Sequence, residues 1–164
     1  MNDPAVKLAV LRDVARAFNA HGVTWAVGGS LLLYFRGRTD VFHDLDLMVC
    51  EADVETAKAL LLSMGRLDPP HPSPGFLTRH FLEFTVRGVD VDVLAGMVIV
   101  HEGVAHDCAL RPEQIDGRIE LDGEAVPLQS LADWRMYYAW MGRTAKVELI
   151  DAPSSPAPHS KGGE

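Results

Sequence analysis

The stretch WAVGGSLLLYFRGRTDVFHDLDLMV, residues 25–49, decides the fold of this chain. It begins with a short apolar run that ends in two glycines and a serine, and it closes with a second apolar run that carries Asp44 and Asp46. Side chains two residues apart in a strand face the same side of the sheet, so these two carboxylates lie side by side. Like charges this close repel and raise each other's pKa, so an apolar strand needs a reason to hold both.

A second pair of carboxylates occurs in VDVDVLAGM, residues 89–97, where Asp90 and Asp92 alternate with valines. Either pair alone could simply face solvent. If the two strands are neighbours, three or four carboxylates converge, and a divalent cation is the usual partner of such a cluster. Because Mg²⁺ prefers carboxylates together with substrate phosphates, the two pairs predict a site for Mg²⁺, or for Mn²⁺, beside a phosphate-bearing ligand.

The glycines provide a place for that ligand. VGGS, residues 27–30, follows a predicted strand and opens a predicted helix. Gly28 and Gly29 allow the backbone to approach a ligand closely and to adopt positive φ. The free amides at the start of the helix favour an anion, and Ser30 can either cap the helix or donate to a phosphate oxygen. The turn alone could bind nothing, but its place shortly before the aspartate pair favours a phosphate site.

The segments VGGS, DLDL (44–47) and VDVDVL (89–94) together resemble the nucleotidyltransferase superfamily that includes DNA polymerase β. Arg38 and the segment PLQSLADWRMYYAWMGRTAKVELI, residues 127–150, are similar to the small bacterial members. The resemblance implies an α+β (α/β) nucleotidyltransferase fold, with a mixed sheet of about five strands flanked by helices. It also implies a single domain over residues 1–150, followed by a mobile C-terminal tail over residues 151–164.

The resemblance also implies roles for individual residues. Asp44, Asp46 and Asp92 match the metal-binding and catalytic carboxylates, and Asp92 would lie next to the acceptor hydroxyl and take its proton. Two metal ions would clamp the attacking hydroxyl and the leaving pyrophosphate. Asp90 stands where relatives often have Glu or an uncharged residue, so we expect it beside the metal-binding set. The residues expected to hold the nucleotide are Gly28, Gly29, Ser30, Arg38 and Lys146.

Two alternatives stay open for the basic residues. Arg38 could meet a phosphate or pair with Asp40. Arg143 and Lys146 could lie near the nucleotide, as basic side chains of the family do, or on a solvated helix face.

The activity that the resemblance implies is transfer of a nucleoside monophosphate from a nucleoside triphosphate to a hydroxyl, with release of pyrophosphate. The acceptor is expected to be a small molecule, such as an antibiotic, or a protein. A formal net charge of −8, without a visible basic patch, makes nucleic acid a poor partner. An alternative of a different class is an antitoxin-type module that binds a helical toxin, with catalysis secondary or lost.

Periodicity and turn residues predict the remaining elements. Helices are expected at residues 3–20, 31–37, 53–65, 131–142 and 144–150, and strands at 24–27, 41–49, 80–86, 89–97, 118–121 and 125–128. The proline-rich segment 66–75 is predicted to be a loop that borders the acceptor. His101 and His106 are predicted to lie in a loop without a metal, because their spacing fits no standard zinc pattern.

The helix over residues 131–142 is dense in aromatic residues, which could form core, stack on a base or form the seam of a homodimer. No apolar run reaches the roughly 18 residues that a membrane span needs. The N-terminus has no basic leader before an apolar stretch, and Cys50 and Cys108 are expected to be reduced thiols. The sequence therefore predicts a cytoplasmic protein.

Overall fold

The structure, a computed structural model, describes residues 3–71 and 77–153. Within these residues the chain forms five α-helices and nine strands. In chain order they are α1 (Pro4–Ala20), β1 (Trp25–Val27), α2 (Gly29–Phe35), β2 (Leu45–Val49), α3 (Val54–Leu62), β3 (Arg66–Leu67), β4 (His80–Val86), β5 (Val89–Ala95), β6 (Val98–His101), β7 (Val104–Asp107), β8 (Ile115–Leu121), β9 (Glu124–Gln129), α4 (Leu131–Trp140) and α5 (Thr144–Asp151).

Seven strands form one mixed sheet in the order β3-β4-β5-β2-β1-β9-β8, and β6 and β7 form a separate hairpin. β2 runs antiparallel to β1 and parallel to β5, and β1 runs parallel to β9. α1 packs against β9, β5 and α3, and α3 packs against β3 and β4. The predicted mixed sheet with flanking helices is confirmed.

The prediction of about five strands is too low. One reason is β3, which occupies the first two residues of the predicted proline-rich loop. Arg66 and Leu67 pair with Thr85 and Phe84 of β4 before the first proline at position 69 removes a backbone donor. The loop therefore starts later than predicted.

The strand that carries the first carboxylates is shorter than predicted. β2 begins at Leu45, because the three-residue strand β1 pairs only with its last residues and β5 first pairs with it at Leu45. The preceding segment is held instead by Lys7, whose Nζ donates to the carbonyl oxygen of Phe42 at 3.1 Å. Asp44 therefore lies in a bend just before the strand, and Asp46 lies within it.

The helix α2 fixes the glycine turn relative to the aspartate strand. All of its residues from Leu31 to Phe35 are buried. It packs against β2 and α4, so apolar contacts surround it on several sides. Arg36 ends the helix, and Gly37 follows with φ +73. The turn and the bend before β2 are therefore joined by a short, enclosed helix.

The aromatic helix α4 belongs to the core. The hydroxyl of Ser130 caps it by accepting a hydrogen bond from the amide of Asp133 at 3.3 Å. Trp134, Tyr137 and Tyr138 are buried. The burial of these three residues agrees with a core role, whereas stacking on a base and a homodimer seam stay predictions.

The hairpin β6–β7 corrects the prediction of a loop around His101 and His106. Glu102 and Gly103 have φ of 50° and 77°, the geometry of a two-residue hairpin turn that matches the twist of the flanking strands. His106 stacks on Trp140, with ring centroids 3.8 Å apart and planes 13° apart. The hairpin is thereby fixed to the end of α4.

The remaining predictions concern the C-terminal tail, the proline-rich loop, the cysteines and the location of the protein. Residues 154–164 of the predicted mobile tail lie outside the described residues, as do residues 72–75 of the predicted acceptor loop. Cys50 and Cys108 are free thiols. None of the helices in the described part of the chain is long and apolar enough to cross a bilayer. The cytoplasmic location stays a prediction.

Candidate active site

The three predicted metal-binding carboxylates converge. Asp46 of β2 and Asp92 of β5 are direct partners, because these parallel strands pair in register at this position. Asp44 joins them from the bend before β2, and one carboxylate oxygen of each residue lies within 4.8 Å of the other two. All three residues are partly buried. Carboxylate oxygens at this spacing can share a divalent cation.

Alternation along β5 separates the site from the core. Val91 and Val93 are fully buried on one face of the strand. Asp90 and Asp92 lie on the other face, because successive side chains of a strand alternate. Asp90 is exposed and is not one of the three converging carboxylates. Its expected place beside the metal-binding set agrees with this position.

Burial, together with repulsion within the cluster, raises the pKa values of all three carboxyls. Burial, followed by the charge of Asp44, raises the pKa of Asp46 to about 7. Burial, followed by the charges of Asp46 and Asp44, raises the pKa of Asp92 to about 8. Burial also raises the pKa of Asp44, and the charge of Asp90 adds to the effect. Perturbed carboxyls that converge in a cavity are typical of functional sites, and a bound cation would supply the missing positive charge.

A fourth carboxylate near the site was not predicted from the sequence. Glu83 of β4 pairs directly with Asp92 across the antiparallel β4–β5 hairpin, and its charge helps to raise the pKa of Asp92. Its Oε1 lies 3.0 Å from Nδ1 of His71. A single glutamate in HFLEFTV suggests only a solvent-facing position. Counting the register outward from the Arg87–Gly88 turn would have identified its neighbour.

The glycine turn lies directly against the aspartate strand. The amide of Gly28 donates to the carbonyl oxygen of Asp46 at 3.0 Å. Gly29 has φ +61°, and a Cβ at this position would lie 2.9 Å from Cγ of Asp46. The turn therefore requires glycine both for its backbone conformation and for its contact with the carboxylate.

α4 covers the other side of the turn. A Cβ at Gly28 would lie 2.7 Å from Cε2 of Trp134. The indole Nε1 of Trp134 donates to Oε1 of Gln129 at 3.0 Å, and Gln129 is fully buried. Nε2 of Gln129 lies in turn 3.4 Å from the hydroxyl of Tyr137. This buried amide holds the indole ring in place over the glycine.

One cavity of about 380 Å³ contains the carboxylates and the turn. Arg143 and Lys146, at the start of α5, also line it. The guanidinium of Arg143 lies 5.7 Å from the ring centroid of Tyr138. Burial, followed by the charge of Arg143, lowers the pKa of Lys146, whereas the charge of Asp46 opposes this shift. Arg143 is exposed and Lys146 is partly buried, so their role in nucleotide binding stays a prediction.

The cavity brings together some of the predicted nucleotide-binding residues and leaves others out. Gly29, Ser30 and Lys146 line it, whereas Gly28 lies beneath Trp134. Arg38 lies elsewhere, and its Nη1 donates to the carbonyl oxygen of Ala152 at 2.6 Å. No ion pair joins Arg38 to Asp40 in the described part of the chain. The role of Arg38 in nucleotide binding stays a prediction.

A second cavity, of about 330 Å³, adjoins the carboxylates. The described end of the proline-rich segment contributes to it through Asp68, Pro69 and His71. Glu83 and Asp90 lie on the same cavity. The predicted loop therefore reaches the site, and its contribution to acceptor choice stays a prediction.

Comparison with known proteins connects this geometry to a fold. No protein-family model and no curated protein sequence matches the chain. Among solved structures, a protein of Thermotoga maritima that is assigned as a nucleotidyltransferase matches with a TM-score of 0.69 and 22% identity, over 92% of this chain and 92% of that one. This chain has the nucleotidyltransferase fold. The predicted fold is thereby confirmed.

Two other solved structures share the nucleotidyltransferase fold. The antibiotic-resistance factor ANT(2'')-Ia, in complex with adenylyl-2''-tobramycin, matches with a TM-score of 0.60 and 12% identity, over 90% of this chain and 82% of that one. The lincosamide antibiotic adenylyltransferase LnuA, with lincomycin bound, matches with a TM-score of 0.59 and 12% identity, over 93% of this chain and 99% of that one. Because one fold can carry different activities, the function has to be inferred from the site.

Proposed function

We propose that this protein is a nucleotidyltransferase that moves a nucleoside monophosphate from a nucleoside triphosphate to a hydroxyl and releases pyrophosphate. The observation that carries the proposal is the convergence of Asp44, Asp46 and Asp92 in one cavity with the Gly29 turn. The likeness to two enzymes of antibiotic modification supports a small molecule as the acceptor.

The three carboxylates would hold Mg²⁺ or Mn²⁺. The donor set fits such an ion, because hard divalent cations take oxygen ligands and because one oxygen of each of the three carboxylates lies within 4.8 Å of the other two. When bound, the ion would neutralise charge on the phosphates and on the groups that attack and leave.

We assign Asp92 as the base that accepts the proton of the acceptor hydroxyl. As the hydroxyl oxygen forms its bond to the α-phosphorus, its proton moves to the Asp92 carboxylate, and the bond between the α-phosphorus and pyrophosphate breaks. Asp92 lies beside Asp46 across the strand pair and lines the catalytic cavity, so its carboxylate is placed to accept a proton from a hydroxyl that attacks there. Glu83 is its direct partner on β4.

Arg143 and Lys146 are the groups that we assign to the triphosphate. Both line the cavity beside the carboxylates, and positive charge placed where the pyrophosphate leaves would stabilise the transition state. Gly29 allows the backbone to approach the phosphates, and Ser30 can donate to a phosphate oxygen. The antitoxin-type alternative gives no reason for converging carboxylates, so the transferase is the function that we propose.

The test is release of pyrophosphate from each of the four common nucleoside triphosphates, with Mg²⁺ and a panel of aminoglycoside, lincosamide and simple hydroxyl acceptors. Asp92→Asn should lower turnover by roughly 10²-fold or more, because it removes both a ligand charge and the proton acceptor. Asp90→Asn is the matched control, since it removes the same charge two residues away on the same strand face. If both variants keep wild-type turnover, or if no triphosphate binds, the proposal is wrong.

A further inference from the structure

A third cavity, of about 400 Å³, lies beside the proposed catalytic cavity. Its walls come from β6, from the end of α4, and from Leu94 and Met97, which follow Asp92 along the chain. The hydroxyl of Thr78, the one polar side chain among the described lining residues, bonds the backbone of Val98. No charged side chain lines it among the described residues. Its chemistry therefore differs from that of the two cavities that contain the carboxylates.

The apolar cavity is continuous with the catalytic cavity. Leu94, Met97 and Met141 line both. Leu94 follows Asp92 by two residues on β5, so it lies on the same face of the strand and about 7 Å further along it. A molecule whose hydroxyl lies at Asp92 can therefore extend along this face into the apolar cavity.

The lining leaves apolar surface open to solvent. Val100 is 45% exposed and Met141 is 40% exposed, although each has an apolar side chain. Trp140 also lines the cavity, and His106 fixes its ring by stacking on it. Burying such surface is favourable, whereas a charged group would lose its hydration there without finding a partner. The cavity thus suits an uncharged, apolar or aromatic group, and the methionines can adapt to its shape.

We propose that this cavity is an acceptor subsite, and that the acceptor is an uncharged molecule with an apolar group and a hydroxyl that reaches Asp92. The inference rests on the proposed function, because the acceptor is the second substrate of that reaction. The acidic cavity on the other side of Asp92 would instead suit a cationic acceptor. Two of its carboxylates, Asp44 and Asp92, belong to the proposed metal site. Two more are already paired, Asp68 with Arg66 and Glu83 with His71.

The first experiment measures the subsite without any nucleotide. The probe is N-phenyl-1-naphthylamine, an uncharged fluorophore that becomes bright in apolar surroundings. Val100→Asp places a charge in the lining and should weaken binding of the probe by roughly tenfold or more. Val104→Asp is the matched control: Val104 lies in the same hairpin, is 54% exposed and does not line the cavity, so the affinity should be unchanged.

The second experiment measures transfer to methyl, butyl, hexyl and octyl glucosides, which offer the same hydroxyls with longer apolar chains. For the wild type and for Val104→Asp, kcat/KM should rise by roughly threefold to fourfold for each methylene that the cavity buries. For Val100→Asp this rise should disappear while the affinity for the Mg²⁺–triphosphate complex, measured by calorimetry, stays unchanged.

The outcomes separate the two proposals. Absence of triphosphate binding and of any transfer would overturn the proposed function and the subsite assigned to it. With triphosphate binding and transfer intact, the subsite alone would be overturned by equal probe affinity in the two variants. The subsite would also be overturned if kcat/KM did not depend on the length of the alkyl chain. It would be overturned as well if the enzyme preferred polycationic acceptors and Val100→Asp left that preference unaltered.

Discussion

The carboxylate of Asp46 occupies the space that a side chain on Gly29 would need. The contact joins two segments that a buried helix separates along the chain, and it places the backbone of the turn against the carboxylate cluster. Any residue with a Cβ at position 29 would have to displace Asp46 from its position beside Asp92. The geometry of the proposed metal site therefore depends on a residue that has no functional group.

Gly29→Ala should abolish binding of the Mg²⁺–triphosphate complex and lower the free energy of unfolding. The positive φ alone costs about 1–2 kcal/mol for a residue with a Cβ, and the overlap with Asp46 adds to this. Gly123→Ala is the control, since Gly123 has φ +86° and a Cβ there would meet no atom within 4 Å. Chemical denaturation and calorimetry compare the two variants, and equal losses of stability would show that the overlap has no effect.

Asp46→Asn should lower turnover by roughly 10²-fold or more, because the side chain keeps its size but loses a charge that would bind the cation. In metal-free buffer the melting temperature should stay the same or rise, since one charge of a repelling cluster is gone. Pyrophosphate release and melting curves with chelator measure the two effects. A lower melting temperature with full activity would mean that Asp46 is structural.

The stability of the metal-free protein should depend on pH through Asp46 and Asp92. Their pKa values rise from 3.8 to about 7 and about 8 on folding, so the folded protein holds these protons more tightly than the unfolded chain. This contribution to stability is fully present below about pH 4 and is lost as the pH rises through about 8.

Because protons and cations compete for the same oxygens, Mg²⁺ should raise the melting temperature more at about pH 8.5 than at about pH 6. Melting curves with Mg²⁺ and with chelator at the two pH values measure this difference. A larger shift at the lower pH would contradict binding of the ion at these carboxylates.

Lys146→Met should weaken binding of the triphosphate and leave the fold intact. The side chain lines the cavity, and methionine keeps most of its apolar length while removing the charge. Lys58→Met, on α3 and outside the lining of the cavity, is the control. Calorimetry at two salt concentrations should show a smaller salt dependence for Lys146→Met than for the control, and an unchanged affinity would remove Lys146 from the proposed site.

Strands were predicted correctly where the sequence also indicated the turn between them. Arg87–Gly88, Glu102–Gly103 and Asp122–Gly123 have nearly the same backbone conformation, with φ of about 50° at the first residue of each pair. The sequence predicts strands on both sides of the first and third turns. It predicts none around Glu102–Gly103, because the flanking strands Val98–His101 and Val104–Asp107 have only four residues each and contain His101 and His106.

Long-range relations were harder to predict. The alternation of residues placed Asp90 and Asp92 on one face, but only the pairing of β2 with β5 in register brought Asp46 to Asp92. The place of Arg38 depends on where α5 ends, since it binds the carbonyl oxygen of Ala152, and nothing in its own segment indicates that contact. The alternation of residues along a strand shows which side chains share a face of the sheet. Which strands are neighbours in the sheet depends on tertiary packing.

The parallel pairing of Val27 with Leu128 has a consequence for synthesis on the ribosome. β1 cannot gain this neighbour until the strand near the C-terminal end of the domain has emerged, so a growing chain presents an unpaired edge that other chains could bind. β2, β4 and β5 emerge earlier and can already bring Asp46, Asp92 and Glu83 together. All the carboxylates of the cluster are thus translated before Arg143 and Lys146.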